Sequence, residues 1–240
     1  NVNVDDDIPN EDSEDTVIDA MNLFEPNRFT GLDRIEDRSR ATYGLRTALE
    51  GYNGYRGEVF FGQSYRFDSD DNPFTEGSGL DDKDSDYVGQ VSAQLGSYMD
   101  GNYRFQLDNE DFSSQRHEVD LASRLGPLSY GGRYFYGVGL EGTEVEETRE
   151  QLTGYASYNI NDAWTVFGTA RYDFGEQEGL RTASYGLSYA GQCFSLAASA
   201  QRTLTTDSSG DSGTEIFFRI GLKTLGEFET SGLSVDGSEE

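Results

Sequence analysis

From Ala41 onward the chain repeats one pattern, short runs of alternating apolar and polar residues separated by links rich in Gly, Asp, Asn and Ser. In the first run Ala41, Tyr43, Leu45, Thr47 and Leu49 fall on one side, against Thr42, Gly44, Arg46 and Ala48. A period of two is the mark of a strand with one apolar face. Tyr87–Met99 repeats it, with Tyr87, Gly89, Val91, Ala93, Leu95 and Met99 against Gln90, Ser92, Gln94 and Gly96. Ala163–Phe174 sets Trp164, Val166, Gly168, Ala170, Tyr172 and Phe174 against Thr165, Thr169, Arg171 and Asp173, and Leu180–Ala190 sets Ala183, Tyr185, Leu187 and Tyr189 against Thr182, Ser184, Gly186 and Ser188.

Further runs at Tyr55–Phe67, Tyr103–Leu107, Gln115–Leu125, Leu128–Leu140, Thr148–Ile160, Cys193–Leu204 and Thr214–Leu225 bring the total to eleven. The links between them alternate in length. Short ones at 51–54, 100–102, 126–127, 161–162 and 191 are interleaved with longer ones at 68–86, 108–114, 141–147, 175–179 and 205–213. Asp100-Gly101-Asn102 reads as a tight hairpin turn. Strict short–long alternation is the habit of outer-membrane barrels, with tight periplasmic turns and longer external loops. The pattern therefore predicts an all-β fold, an antiparallel up-and-down transmembrane barrel, present here as a partial barrel of about eleven strands. Its apolar face meets lipid and its polar face a wet lumen. Aromatic residues near strand ends (Tyr55, Tyr65, Phe67, Tyr87, Tyr98, Tyr103, Tyr158, Trp164, Tyr172, Phe174, Tyr189) suit interfacial girdles. A soluble barrel or sandwich would bury that same face instead.

Thr182–Gln201 is a stretch of twenty residues without a charge, long enough to cross a bilayer as a helix. Its apolar residues alternate and Gly191 sits at the midpoint, so it reads as a hairpin.

The formal charge of −27 over 240 residues excludes a basic nucleic-acid surface. It does not exclude a membrane wall, because the acids concentrate between the runs. Twelve lie in residues 1–37, eight in Asp68–Asp86 and five in Glu141–Glu150. Residues 1–22 have no sustained period and read in isolation as an acidic disordered tail. The organisation expected is an acidic lead-in and luminal or outer-mouth segment (1–37), barrel strands (38–226) and a polar C-terminal tail (227–240). With no initiator Met and no signal segment, the chain reads as mature or as a fragment.

Chemistry-bearing motifs do not hold up. Gly137-Val138-Gly139-Leu140-Glu141-Gly142 matches a dinucleotide fingerprint, but Glu141, Glu144, Glu146 and Glu147 would repel pyrophosphate and no βαβ unit surrounds it. Asp68-Ser69-Asp70-Asp71-Asn72 and Asp82-Lys83-Asp84-Ser85-Asp86 echo the start of a calcium loop, yet lack its later Gly and Glu. They read as solvated loops. His117 is the only histidine and reads as a polar wall residue. There is no nucleophile elbow, so no catalytic residue, metal site, cofactor or enzymatic activity is expected. Cys193, the only cysteine, is either a small apolar strand residue or half of a bridge to a region outside these residues.

The junction Leu23-Phe24-Glu25-Pro26-Asn27-Arg28-Phe29-Thr30-Gly31-Leu32-Asp33-Arg34-Ile35-Glu36-Asp37, with Arg40, Tyr43, Gly44 and Leu45, resembles the signature of the LptD family of outer-membrane lipopolysaccharide-assembly proteins, in its C-terminal barrel half. A second similarity runs through Tyr185–Tyr189, Cys193, Ala200–Arg202 and Ile216–Gly226. The resemblance implies insertion of lipopolysaccharide into the outer leaflet of the cell outer membrane. Expected partners are lipopolysaccharide, outer-membrane lipid, an LptE-like plug lipoprotein and an LptA-like periplasmic bridge, with no nucleic acid. A diffusion porin or structural barrel is the alternative. The resemblance makes Leu23, Phe24, Asn27, Arg28, Phe29, Gly31, Asp33, Arg34 and Asp37 a luminal motif, and the Leu23–Asp37 segment is expected to fold into the lumen as an ordered plug. Cys193 falls where the family places a disulfide cysteine. By position, Thr214–Leu225 is the lateral-gate strand, with Ile216, Phe218, Ile220 and Leu222. The family's N-terminal jellyroll and first strands are absent from these residues, so the chain is expected to be the C-terminal portion of a larger one.

Overall fold

Eleven strands of nine to twelve residues follow one another along the chain, each hydrogen-bonded to the next. They are β1 (Arg40–Glu50), β2 (Tyr55–Arg66), β3 (Tyr87–Leu95), β4 (Met99–Leu107), β5 (Ser114–Leu125), β6 (Leu128–Gly137), β7 (Arg149–Asn159), β8 (Trp164–Asp173), β9 (Gly179–Ala190), β10 (Phe194–Thr203) and β11 (Gly213–Leu222). Two short strands follow, β12 (Gly226–Glu229) and β13 (Leu233–Val235). The computed structural model describes residues 18–25, 39–67, 74, 77–140, 147–175, 178–204, 213–222, 226–229 and 233–235. Among these the one helical element is a 3₁₀ turn at Tyr52–Gly54.

The up-and-down order and the alternation of short and long links are as the pattern predicts. One turn is displaced. The chain reverses at Gly96-Ser97-Tyr98, where Gly96 takes φ +60 and the Tyr98 amide donates to the Leu95 carbonyl. Asp100, Gly101 and Asn102 lie inside β4. Two turn signals stand four to five residues apart here, and Gly96, without a Cβ, meets the left-handed geometry at least cost. Asn102 instead accepts a hydrogen bond at Oδ1 from Gln90 Nε2.

The chain divides into two compact units, residues 1–94, 102–118 and 136–148 in the first, and 95–101, 119–135 and 149–240 in the second. In the second, register fixes the faces of β7 to β11. Tyr158, Val166, Leu187, Ala198 and Phe218 stand directly opposite one another in a row across five strands. One residue along, Ser157, Phe167, Gly186, Ser199 and Phe217 form a row on the other face. Tyr155, Thr169, Ser184, Gln201 and Glu215 form the next row of that face, where Thr169 and Ser184 exchange a 2.8 Å hydroxyl hydrogen bond. The first row is apolar and, apart from the half-buried Ala198, exposed, Phe218 at 44%.

The first unit adds something that alternation does not foretell. On one face Phe60, Gly62 and Ser64 of β2, Val88 of β3 and Gln106 of β4 are covered, while β1 is exposed on both faces from Gly44 on, and the cover is residues 18–25 together with the segment before β3. Ile18, Ala20, Leu23, Phe60, Phe74, Leu80 and Val88 form a buried cluster beneath it. The opposite face is bare, with Leu45 at 73% and Leu49 at 77% exposure.

Candidate functional site

The covered face of the first unit is polar by sequence and dense with hydrogen bonds in three dimensions. It begins with residues 18–25, of which 18–22 lie in the stretch expected to be a disordered tail. Here they form an ordered turn. Asp19 Oδ1 accepts from the amides of Met21 and Asn22, while Asn22 Oδ1 accepts from the Asp19 amide, so the two side chains close the turn on each other. The closure points Ile18 and Leu23, both 0% exposed, at the sheet. Local acidity suggests a tail; three apolar residues with a sheet to pack on override it.

The sheet receives them through two glycines. At Gly62 in β2 a Cβ would sit 2.5 Å from Leu23 Cδ2, so only a bare Cα admits that side chain. Gly79 takes φ +75, and a Cβ there would come within 2.7 Å of Ile18 Cγ2. The Ile18 amide donates to the Ser78 carbonyl, which ties the turn to the segment before β3. Arg40 Nη2 donates to the Glu25 carbonyl at 2.6 Å from the start of β1.

Around this apolar contact runs a buried polar chain. Ser64 and Ser85 are joined twice through the backbone amide of one to the other's carbonyl or hydroxyl oxygen. From the opposite face of the sheet, Gln63 Nε2 donates to the Ser85 carbonyl, and the Tyr43 hydroxyl donates to Gln63 Oε1. The Asp86 amide donates to the Gly79 carbonyl, and Asp86 Oδ2 accepts from Gln106 Nε2 at 2.7 Å. Burial pushes the Asp86 carboxyl up to about 6, against the lowering effect of the Gln106 hydrogen bond. Gln106, 2% exposed, has Oε1 without a hydrogen-bond partner. Farther along, Glu118 accepts from both Arg104 and Arg116, with Arg116 Nε at 2.7 Å. These three and Gln106 line a small cavity of about 10 Å³ beside Ile18 and Asp19. Ionic groups this close to an apolar core persist because each is paired.

The bare face of the same strands carries rings. Phe112, Tyr87 and Phe61 stack in succession (5.0 and 5.5 Å between centroids), and Phe105, Tyr103, His117 and Tyr136 continue the series. His117 Nδ1 lies 2.8 Å from the Tyr103 hydroxyl. It belongs to this aromatic row, while its neighbours Arg116 and Glu118 occupy the covered face. Pairing with an adjacent tyrosine gives the histidine one polar partner at an otherwise apolar surface.

The residues singled out from sequence fall in three places. Leu23 is buried on Gly62, and Phe24 packs edge-on against Phe60 at 6.0 Å. Asn27, Arg28, Phe29, Gly31, Asp33, Arg34 and Asp37 lie outside the described residues. Ile216, Phe218, Ile220 and Leu222 alternate along β11, with Phe218 and Ile220 exposed. Cys193 is exposed and free in the turn before β10. Among the described residues no three His, Cys, Asp or Glu converge as a metal site. Sequence reasoning missed Gln106, Asp86 and Glu118. Their signal was weak, since buried polar residues on a predominantly polar face look like any others until something covers them.

Residues 3–164, which include the covered strands and the segment lying on them, match the LptD family, described as LPS transport system D. An LPS-assembly protein LptD of Thiobacillus denitrificans is 27% identical over 96% of this chain and 30% of its own length. Those of Shewanella oneidensis and Acinetobacter baumannii are 25% and 27% identical over 82% and 79% of this chain. The chain thus spans under a third of the relatives it matches, 30%, 26% and 23% respectively. With its family match covering more than half its length, this all-β chain belongs to the LptD family.

Proposed function

We propose that the chain contributes barrel strands to an outer-membrane translocon that inserts lipopolysaccharide into the outer leaflet. The observation that carries this reading is the division of faces: an exposed apolar face, and a polar face covered by the chain's own 18–25 turn. No bond chemistry is required. A lipid with a large polar head must pass a layer that excludes that head, so a wet polar wall conducts the head while the tails leave sideways.

On this reading Leu23, Phe24, Asn27, Arg28, Phe29, Gly31, Asp33, Arg34 and Asp37 build a luminal plug whose first turn is anchored on Gly62. Ile216, Phe218, Ile220 and Leu222 give the gate-side strand an apolar outer edge. Cys193 forms a single disulfide to a cysteine outside these residues, its exposed turn supporting access to a partner. Lipopolysaccharide, an LptE-like plug lipoprotein and an LptA-like periplasmic bridge are the partners. The acidic loops meet lipopolysaccharide phosphates through divalent cations.

Depletion of the whole protein in its own cells tests the reading. Pulse-labelled lipopolysaccharide should stop reaching the cell surface and accumulate behind the outer membrane. Undiminished surface arrival after depletion would reject it.

A further inference from the structure

Between β4 and β5 the chain reverses through residues 108–113, and Phe112 in that reversal has a left-handed backbone, φ +60. Among the described residues the other non-glycine residue so placed is Asn53, φ +67. Asparagine adopts that conformation with the help of its short polar side chain, whereas a bulky apolar residue is strained in it. Glycine would adopt it without strain.

Groups other than the Phe112 side chain close the reversal. The Asp108 amide donates to the Ser113 carbonyl, Asp108 Oδ1 accepts from the amides of Glu110 and Asp111, and Asp111 Oδ1 accepts from the Ser113 amide. Asn109 Nδ2 donates to the Asp84 carbonyl, which ties the turn to the segment before β3. What the strained residue gains is position. Its ring lies 5.0 Å from that of Tyr87 with 5° between the planes, and Tyr87 in turn lies on Phe61 of the bare face. Phe112 thereby extends the bare face beyond the strand ends, and 59% of it remains exposed. We propose that Phe112 is a lipid anchor, its ring lying where headgroups meet acyl chains in the outer leaflet while Asp108, Glu110 and Asp111 stand in the adjoining water.

A strained backbone persists only where its surroundings over-determine it. Stacking on Tyr87 leaves most of the Phe112 ring uncovered, and uncovered apolar surface is unfavourable in water but not in lipid. The chain also changes character within one residue. Asp111 is exposed, and hydrogen bonds from the Ser113 amide and hydroxyl hold its carboxyl below the usual value, so it stays charged and belongs in water. Phe112 follows directly and lies on the face that carries Leu45 and Val91. Aromatic rings gather at such a boundary in outer-membrane barrels. The anchor rests on the reading of the bare face as lipid-facing and of the longer links as external, and it adds the level of the membrane at this end of β4 and β5.

The test places a photoreactive phenylalanine analogue at Phe112 of the whole protein, held in phosphatidylcholine vesicles without lipopolysaccharide. The same analogue is placed at Val91, on the bare face of β3, and at Glu110 in the turn. Lipid adducts are expected at Phe112 and Val91, with roughly ten-fold less at Glu110. Adducts at Val91 without any at Phe112, or equal yields at Glu110 and Phe112, would overturn the anchor. No adduct at Val91 would reject the lipid-facing sheet and the anchor with it. A membrane-impermeant maleimide gives a second reading, with labelling of the unsubstituted protein subtracted. Phe112→Cys should react roughly ten-fold more slowly than Glu110→Cys in the same vesicles, and equal rates would sink the proposal. Surface lipopolysaccharide arrival is measured separately, so failure of the anchor and failure of the transport reading are told apart.

Discussion

Leu23 lies over Gly62 so closely that a single methyl group on the glycine would stand 2.5 Å from Leu23 Cδ2. This contact, with the Ile18 amide bonded to the Ser78 carbonyl, fastens residues 18–25 to the polar face of the sheet.

Gly62→Ala should therefore destabilise the first unit by about 1–3 kcal/mol, the usual cost of overpacking a tight contact. Leu23→Ala should cost about 2–4 kcal/mol by leaving a cavity. The double variant should lose less than the two costs added together, because removing Leu23 makes room at Gly62. Heat-dependent unfolding of the purified protein, followed for all three variants, measures the coupling. Full additivity would mean that Leu23 does not sit on Gly62.

Asp86 predicts a pH dependence of definite sign. Its folded-state carboxyl is raised to about 6 by burial, so the folded protein holds the proton more tightly than the unfolded chain does. Stability from this group is full below about pH 4 and is lost as pH rises to about 6, after which it is flat. Asp86→Asn should abolish that slope and raise stability at neutral pH by about 1 kcal/mol, since an amide pays no ionisation cost in a buried place. Thermal unfolding at pH 4, 5, 6 and 7 reads the difference. A slope of the opposite sign would show that the carboxylate is stabilised there.

Two ion pairs of similar appearance should behave differently. Glu118 is 9% exposed at its side chain and holds Arg104 and Arg116, so Glu118→Gln should cost about 2–4 kcal/mol by leaving two guanidinium groups against an apolar cluster. Arg46 and Glu58 lie 3.5 Å apart with the arginine side chain 61% exposed, and Glu58→Gln should change stability by about 0.5 kcal/mol or less. Chemical denaturation of each variant at two salt concentrations separates them, because water and salt screen only the second.

Cys193 should be joined to another cysteine in the whole protein. Non-reducing electrophoresis should show a mobility difference that reductant abolishes and Cys193→Ser removes. A free Cys193 thiol, labelled by a maleimide without prior reduction, would show that the turn carries no bridge.

Much of the molecule was readable in advance. Alternation of period two, with Gly and Asn at the links, sets strand after strand because each side chain's face follows from backbone geometry alone. The tight turn went astray because Gly96 and Gly101 offered competing reversals, and pairing with neighbouring strands settled which was used. The polar network could not be read, since Gln63, Ser64, Asp86, Gln106 and Glu118 resemble ordinary wall residues along the chain.

By itself the sequence determined the strands, their up-and-down order and which side of each is apolar, since all three depend on residues adjacent along the chain. Tertiary structure alone decided that 18–25 leave solvent for the polar face, that Asp86 is forced toward its neutral form, and that 226–229 and 233–235 pair with β11. Each of these joins groups far apart in sequence, and burial, not local preference, gives them their free energy.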